Sequence, residues 1–261
     1  MTMRTEAEHP FFFGDRSELF GIYHAAAPAA GKAVLLCAPL GQDQIRCHRL
    51  YRQLAHALAA EGIPALRFDY YGCGDSLGTS AEVRWDRCIR DTVTAANELR
   101  ARCGIDRVVA FGARLGGNMA LAAFAAARFA DIVVWDPVID GQAHVATLDA
   151  MQEALRQDTR RFIKPRPAAF ADEQWLGFAV NPELRAQISG LGVGWKATPS
   201  LLLDSLPASS SHAWRAVAVD DASIKVLQPS TPWDDLARLE VAILSHPLVQ
   251  TVTAHLRGAH G

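Results

Sequence analysis

The chain has 261 residues, half of them apolar and 21% charged, with 26 basic against 28 acidic side chains and a formal net charge of −2. Such a length and mixture suit one large α/β domain. So small a net charge leaves no electrostatic basis for nucleic acid or an acidic membrane as the main partner.

The first ten residues, MTMRTEAEHP, are polar and lack the apolar core of a signal peptide. Pro10 to Phe13 and Leu19 to His24 then read as two short antiparallel strands joined through Gly14 and Asp15. After the loop AAAPAAGK, Ala33 to Cys37 is a fully apolar strand ended by Ala38-Pro39-Leu40-Gly41. Leu50, Leu54 and Leu58 give helical periodicity over His48 to Ala60, and Glu61-Gly62 stops it. A strand over Pro64 to Tyr70 leads into a glycine-punctuated loop, Tyr71 to Ser76, and a helix is expected over Ser80 to Cys103. Next comes RVVAFGARLGGNM: a β-branched strand from Val108 to Phe111, a tight turn with glycines on both sides of Arg114, and an apolar helix over Met119 to Phe129. A further strand, Asp131 to Trp135, ends at Asp136-Pro137. Strands this apolar, alternating with helices, predict a mostly parallel twisted sheet flanked by helices on both faces. No apolar run approaches the ~20 residues of a membrane helix.

From residue 141 to 198 the alternation stops. This stretch has helical pieces, prolines at 165, 167 and 182, and the aromatics Trp175 and Phe178. It is too long for an ordinary connection and reads as a helical lid inserted into a core of residues 1–140 and 199–261. Leu201 to Asp204 and Ile224 to Leu227 resume the sheet, and Trp233 to Leu256 reads as a closing helical region broken near Pro247. Cysteines 37, 47, 73, 88 and 103 form no CxxC pair and no Cys–His zinc spacing. They read as reduced thiols of a cytoplasmic protein with no metal and no cofactor.

Four stretches carry a resemblance over nearly the whole chain: APLGQDQIRCHR after the third strand, RFDYYGCGDSLG after the fourth, the GARLGG turn, and WDPVIDG after the sixth. Together and in this order they resemble the α/β-hydrolase superfamily, and more narrowly the serine-aminopeptidase-like and exosortase-system-associated hydrolases. The resemblance implies an α/β-hydrolase fold. GARLGG would be its nucleophile elbow, where a strained strand-to-helix turn exposes Ser, Cys or Asp. Here that residue is Arg114. A guanidinium stays protonated and has no lone pair with which to attack a carbonyl.

The family's acid usually follows the seventh strand, which places it near Ala208, beyond Asp204. Its histidine usually follows the eighth strand, where this chain reads Gln228-Pro229-Ser230-Thr231-Pro232-Trp233. All three triad positions therefore read as non-catalytic. Substitutes exist on paper. Asp136 either faces the site or makes an N-cap or turn before Pro137. His212 follows a serine-rich loop and either reaches the cleft or is solvated, and His246 reads as a surface or packing residue. Cys73 is a thiol near the strand ends that Arg114 could activate, or simply a small residue in a tight loop. Asp75 and Ser76 read as loop ties, Arg46, His48 and Arg49 as a solvated helix start, and Trp233-Asp234-Asp235 as the start of another helix.

An elbow helix still offers backbone N–H groups at Leu115, and Leu40, Gly41 and Gln42 can supply more, as the oxyanion loop does in the family. With a guanidinium added, such donors favour an anion. Arg114 thus reads either as an anchor for a ligand carboxylate or carbonyl, or as a buried ion pair with Asp136 or Asp43. Two functional classes follow. One is a protein that binds, or transforms without hydrolysis, an acyl or carboxylate-bearing metabolite, free or linked to CoA or a carrier protein. The resemblance places such proteins in biosynthetic systems. The other is an ester, thioester or amide hydrolase with a non-standard nucleophile or activated water. A non-catalytic partner subunit is a third.

Overall fold

The computed structural model describes residues 8–27, 29–161, 164, 173–207 and 223–258. In chain order these form β1 (Glu8–Phe13), β2 (Leu19–His24), β3 (Ala33–Cys37), α1 (Gly41–Ala60), β4 (Ala65–Phe68), α2 (Trp85–Cys103), β5 (Val108–Ala113) and α3 (Leu115–Ala123). They continue with β6 (Asp131–Trp135), α4 (Gly141–Gln157), β7 (Gln174–Trp175), β8 (Phe178–Ala179), α5 (Pro182–Ser189), β9 (Leu201–Asp204), β10 (Ile224–Val226) and α6 (His246–Gly258). Eight strands make one sheet in the order β1-β2-β4-β3-β5-β6-β9-β10, while β7 and β8 pair separately. β1 and β2 are antiparallel to their neighbours, and every pairing from β4 to β10 is parallel.

Because successive strand residues point to opposite faces, each buried strand feeds two cores. Leu35, Ala110, Ile132, Val134 and Leu202 pack with Cys88, Ala95 and Leu99 of α2 and Met119 and Ala120 of α3. Their neighbours Val34, Leu36, Val109, Phe111, Val133 and Leu203 pack with Leu50, Leu54 and Leu58 of α1 and Leu248, Val252 and Leu256 of α6. Among the described residues, no helix is long and apolar enough to cross a membrane.

Four expectations shift. Helix α1 begins at Gly41, not His48, with Leu40 extended before it. Its polar first turn, Gly41 to Gln44, hid the start. The helix expected from Ser80 is a short 3-10 turn, Ser80–Glu82, closed by a Thr79–Glu82 capping box, and α2 starts only at Trp85 because Val83 and Arg84 are extended. The elbow helix spans Leu115–Ala123. Trp233 to Ser245 is loop with one 3-10 turn, Leu236–Arg238, and Pro247 lies in the first turn of α6. Proline is tolerated there because that N–H has no helical partner.

The packing of α3 on the sheet is what holds the elbow in place, and it depends on missing side chains. A Cβ on Gly116 would lie 2.3 Å from the Cys37 carbonyl oxygen and 2.5 Å from that of Ala38. One on Gly112 would lie 2.5 Å from the Gly116 backbone. Gly190, at the end of α5, has ordinary contacts at 3.6 Å and an ordinary φ of −78°. Urea unfolding is therefore expected to show Gly116→Ala destabilised by about 3 kcal/mol, while Gly190→Ala changes stability by less than about 0.5 kcal/mol.

Candidate active site

The ends of β3, β5 and β6 converge on one side of the sheet, the usual place for a ligand crevice in such folds. Above them lies a cavity of about 360 Å³. Leu40 to Ile45 and Leu115 form its floor, while Leu148 and Met151 of α4, Trp175 to Val180 of the β7–β8 unit, and Leu184 and Ile188 of α5 form its far wall. Leu40, Gly41, Gln42 and Leu115 all line this one cavity. The Gln42 side chain is engaged, its amide donating to the Leu239 carbonyl at 2.8 Å. The stretch over the cavity contains the β7–β8 pair as well as helices. It is tied down: Asn181 donates to the Val83 carbonyl at 2.7 Å, and the Ala179 N–H donates to Ser80 Oγ at 3.1 Å.

Arg114 occupies the turn between β5 and α3 with φ 49° and ψ −130°. Its N–H donates to the Trp135 carbonyl, and its carbonyl accepts from the Gly117 and Asn118 amides. The side chain is buried but does not itself line the cavity. Three cavity-lining residues lie against the guanidinium. Asp43 Oδ2 is 3.6 Å from Nε, Asp234 Oδ1 is 3.9 Å from one terminal nitrogen, and that same nitrogen is 3.3 Å from His144 Nδ1. The Trp233 ring centroid is 5.4 Å away. Arg114 Nε has no hydrogen-bond partner among the described residues. The internal ion pair is therefore with Asp43, not Asp136.

Two titratable groups of this floor are displaced from their ordinary values. Burial raises the Asp43 carboxyl to about 6, against the pull of Arg114 and Arg46 and with a push from Asp234. Burial and then the Arg114 charge lower the His144 imidazole to about 3. A guanidinium can only donate, so Nδ1 is the acceptor and the ring proton sits on Nε2. His144 was not legible as a site residue: AHV inside a helix carries no motif. Asp43 entered the sequence reading only as a partner for Arg114.

The remaining sequence candidates fare differently. Asp136 is fully buried away from the cavity, with φ 44°. It accepts from the Ser205 N–H at 2.8 Å, Ser205 Oγ at 2.5 Å and Trp233 Nε1 at 2.8 Å. It is neither a cavity acid nor a cap: it is the centre of a polar knot joining β6, β9 and the Trp233 loop. Cys73 does line the cavity, but burial and the Asp69 and Asp91 charges push its thiol up to about 12. Among the described residues no cation contributes to that shift, so Arg114 does not activate this thiol. Burial likewise raises the Cys37 thiol. Ala208 and His212 lie outside the described residues. His246 starts α6 and is exposed.

Arg46 is not solvated. It is buried and donates to the carbonyls of Pro232 and Trp233 at 2.6 and 2.7 Å, clamping the loop that delivers Asp234. The loop after β4 is tied by Asp69, which accepts from the Asp75 N–H, and by Ser76 Oγ, which donates to the Asp69 carbonyl. Asp235 caps the 3-10 turn at Leu236. Among the described residues, Glu8, His24 and His56 lie close enough to share a metal ion. They do not suit one, because Arg52 holds Glu8 at 2.8 Å and Arg67 donates to His24 Nε2 at 3.0 Å.

Residues 45–172, just under half of the chain, match the family described as serine aminopeptidase, S33. A thermostable carboxyl esterase from Bacillus coagulans aligns over 97% of this chain and 99% of its own, with a TM-score of 0.61 at 12% identity. The partial family match and the structural likeness together show the α/β-hydrolase fold. The mouse α/β-hydrolase domain-containing protein 10 aligns over 95% and 98% of the two chains, with a TM-score of 0.54 at 16% identity. An α/β serine hydrolase without a lid from Xanthomonas campestris aligns over 87% and 85%, at 0.51 and 17%. No curated protein sequence matches this chain. Identities this low carry the α/β-hydrolase fold and not its reaction.

The displaced groups make stability depend on pH. Asp43 has a raised folded value, so its contribution is present below its ordinary 3.8 and is lost as pH rises through about 6. Asp43→Asn is therefore expected to gain about 1–2 kcal/mol over the wild type at pH 8, a gain that vanishes near pH 4. His144 runs the other way: its contribution is present above 6.5 and is lost as pH falls toward about 3. Denaturant unfolding of wild type, Asp43→Asn and His144→Gln between pH 4 and 8 checks both signs.

Proposed function

We propose that this α/β-hydrolase binds an acyl-bearing small molecule in the cavity and acts on it without a serine acyl-enzyme. The observation that carries the reading is Arg114 in the strained turn between β5 and α3, where the elbow presents its nucleophile. That side chain has no nucleophilic atom. The cavity thiol is no substitute, since Cys73 stays protonated at neutral pH. Apolar walls built by Leu115, Leu148, Met151, Trp175, Phe178 and Ile188 favour an acyl chain. In this reading residues 141–198 are the lid, and 1–140 with 199–261 are the core. The acyl group is free or attached to CoA or a carrier protein, and the five free cysteines fit a cytoplasmic setting. The neighbours of Arg114 favour its pairing role over direct capture of a carboxylate, because Asp43 and Asp234 already face it.

A second reading is hydrolysis by water activated at Asp43, a cavity carboxylate that burial raises to about 6. Treatment with a fluorophosphonate probe, alongside binding of 1-octanol and octanoyl esters followed by tryptophan fluorescence, tests the proposal, and octanoyl ester turnover that Asp43→Asn abolishes would favour the second reading. Wild type is expected to remain unlabelled by the probe and to bind both ligands, while Leu148→Trp, which fills the cavity, loses binding at least tenfold. Labelling of one serine, with ester turnover abolished by its mutation, would overturn the proposal.

A further inference from the structure

We propose that Asp43 and His144 form a proton-transfer site acting on the carbon next to the carbonyl of the bound acyl group, with Arg114 as the positioning residue behind both. This rests on the cavity binding proposed above and names its reaction class. Asp43 takes the proton: the C–H bond breaks, an O–H bond forms on the carboxylate, and the C–H electron pair becomes the C=C bond of an enolate. The carbonyl π pair moves to oxygen, where His144 donates its Nε2–H as a hydrogen bond and keeps its proton. Return of the proton from Asp43 to carbon closes the cycle, with no net oxidation and no co-reactant.

Three observations favour proton transfer at carbon over hydrolysis. Both Asp43 and His144 line the cavity, and Arg114 lies against both, 3.6 Å from Asp43 and 3.3 Å from His144. Burial and the guanidinium facing Nδ1 keep the imidazole neutral, so His144 cannot protonate a leaving group but can still polarise a carbonyl, a division of labour known from carboxylate–neutral histidine sites. Leu148, Met151, Trp175 and Phe178 line the same cavity and give the carbon next to the carbonyl a largely apolar setting.

The groups facing Asp43 come from several elements: Arg46 and Cys47 on its own helix, Arg114 from the elbow turn, and Asp234 from the Trp233 loop. His144 approaches from α4 and faces Arg114. Their balance holds the carboxyl at about 6, so the base form grows as pH rises and is complete a unit or two above that value. Removing the Arg114 charge withdraws a stabilising cation and moves this midpoint up.

The test is loss of the α-proton NMR signals of 2-octanone and S-octanoyl-N-acetylcysteamine in D2O, with binding of each probe followed by tryptophan fluorescence. Wild type is expected to exchange the α-protons, with a rate that rises through pH 6 and then levels. Asp43→Asn should bind the probes but exchange at least 100-fold more slowly, its denaturant unfolding at pH 8 confirming that it is folded. Arg114→Gln should shift the midpoint of the rate profile upward, and Arg114→Lys should shift it less. Binding without exchange in wild type would overturn this inference and leave the cavity reading standing, as would exchange that Asp43→Asn leaves unchanged. A chain that binds neither probe would overturn the cavity reading, and the inference with it.

Discussion

A guanidinium taken out of water at the end of β5 sets the terms for everything around it. Arg114 is 8% exposed and cannot shed its proton, so the fold has to bring charge to it. Two carboxylates come, Asp43 from the first turn of α1 and Asp234 from the loop before α6, and a neutral imidazole comes from α4. None of these contacts is a short, bidentate pair, and Nε is left without a hydrogen bond among the described residues. A loose arrangement of this kind adds little net stability, since both partners lose solvation for a long ion-pair contact. Its effect is felt instead in the neighbours, holding one imidazole neutral and restraining the rise of a carboxyl that burial pushes up.

The scaffold that makes this possible is rigid and mostly backbone. Glycine at 112 and 116 lets α3 lie directly on the ends of β3 and β5, and the turn between them is forced to a positive φ at a residue that is not glycine. Such strain persists only where the surroundings over-determine it. Here they do so through the Trp135 carbonyl, which accepts the Arg114 N–H, and through the Asp136 knot just beyond it. Trp135 and Trp233 pack as tilted rings with centroids 4.8 Å apart, and Arg46 grips the backbone at 232 and 233. The loop that carries Asp234 is therefore held at both its backbone and its aromatic side chain. The acid after β6 has become part of the frame, and the acids that reach the cavity come from a helix start and from the loop before α6.

Much of the fold was legible because it is written in short-range patterns. Unbroken apolar runs such as 33–37 and 132–135 announced buried parallel strands, and the glycines around Arg114 announced a strand-to-helix turn. Boundaries were missed where polarity masks the period: the GQDQ turn that opens α1 looks like loop because it faces the cavity rather than the core. Likewise Pro247 looked like a break and is a beginning, a distinction that depends on which helix end it occupies.

The site divides along the same line. That the elbow carries arginine, and that Leu40 to Gln42 and Leu115 flank it, follows from the order of residues along the chain. Which carboxylate meets that arginine does not. Asp43 and Asp136 are both plausible from sequence, and only packing turns one into the cavity and seals the other against Ser205 and Trp233. His144, 30 residues from Arg114, has no local signature at all. It reaches the cavity because α4 crosses over the strand ends, and it stays neutral because it is buried there beside a cation. Local pattern fixes elements and turns, since those depend on near neighbours; charge states depend on burial and on partners brought from afar, which only the tertiary structure decides.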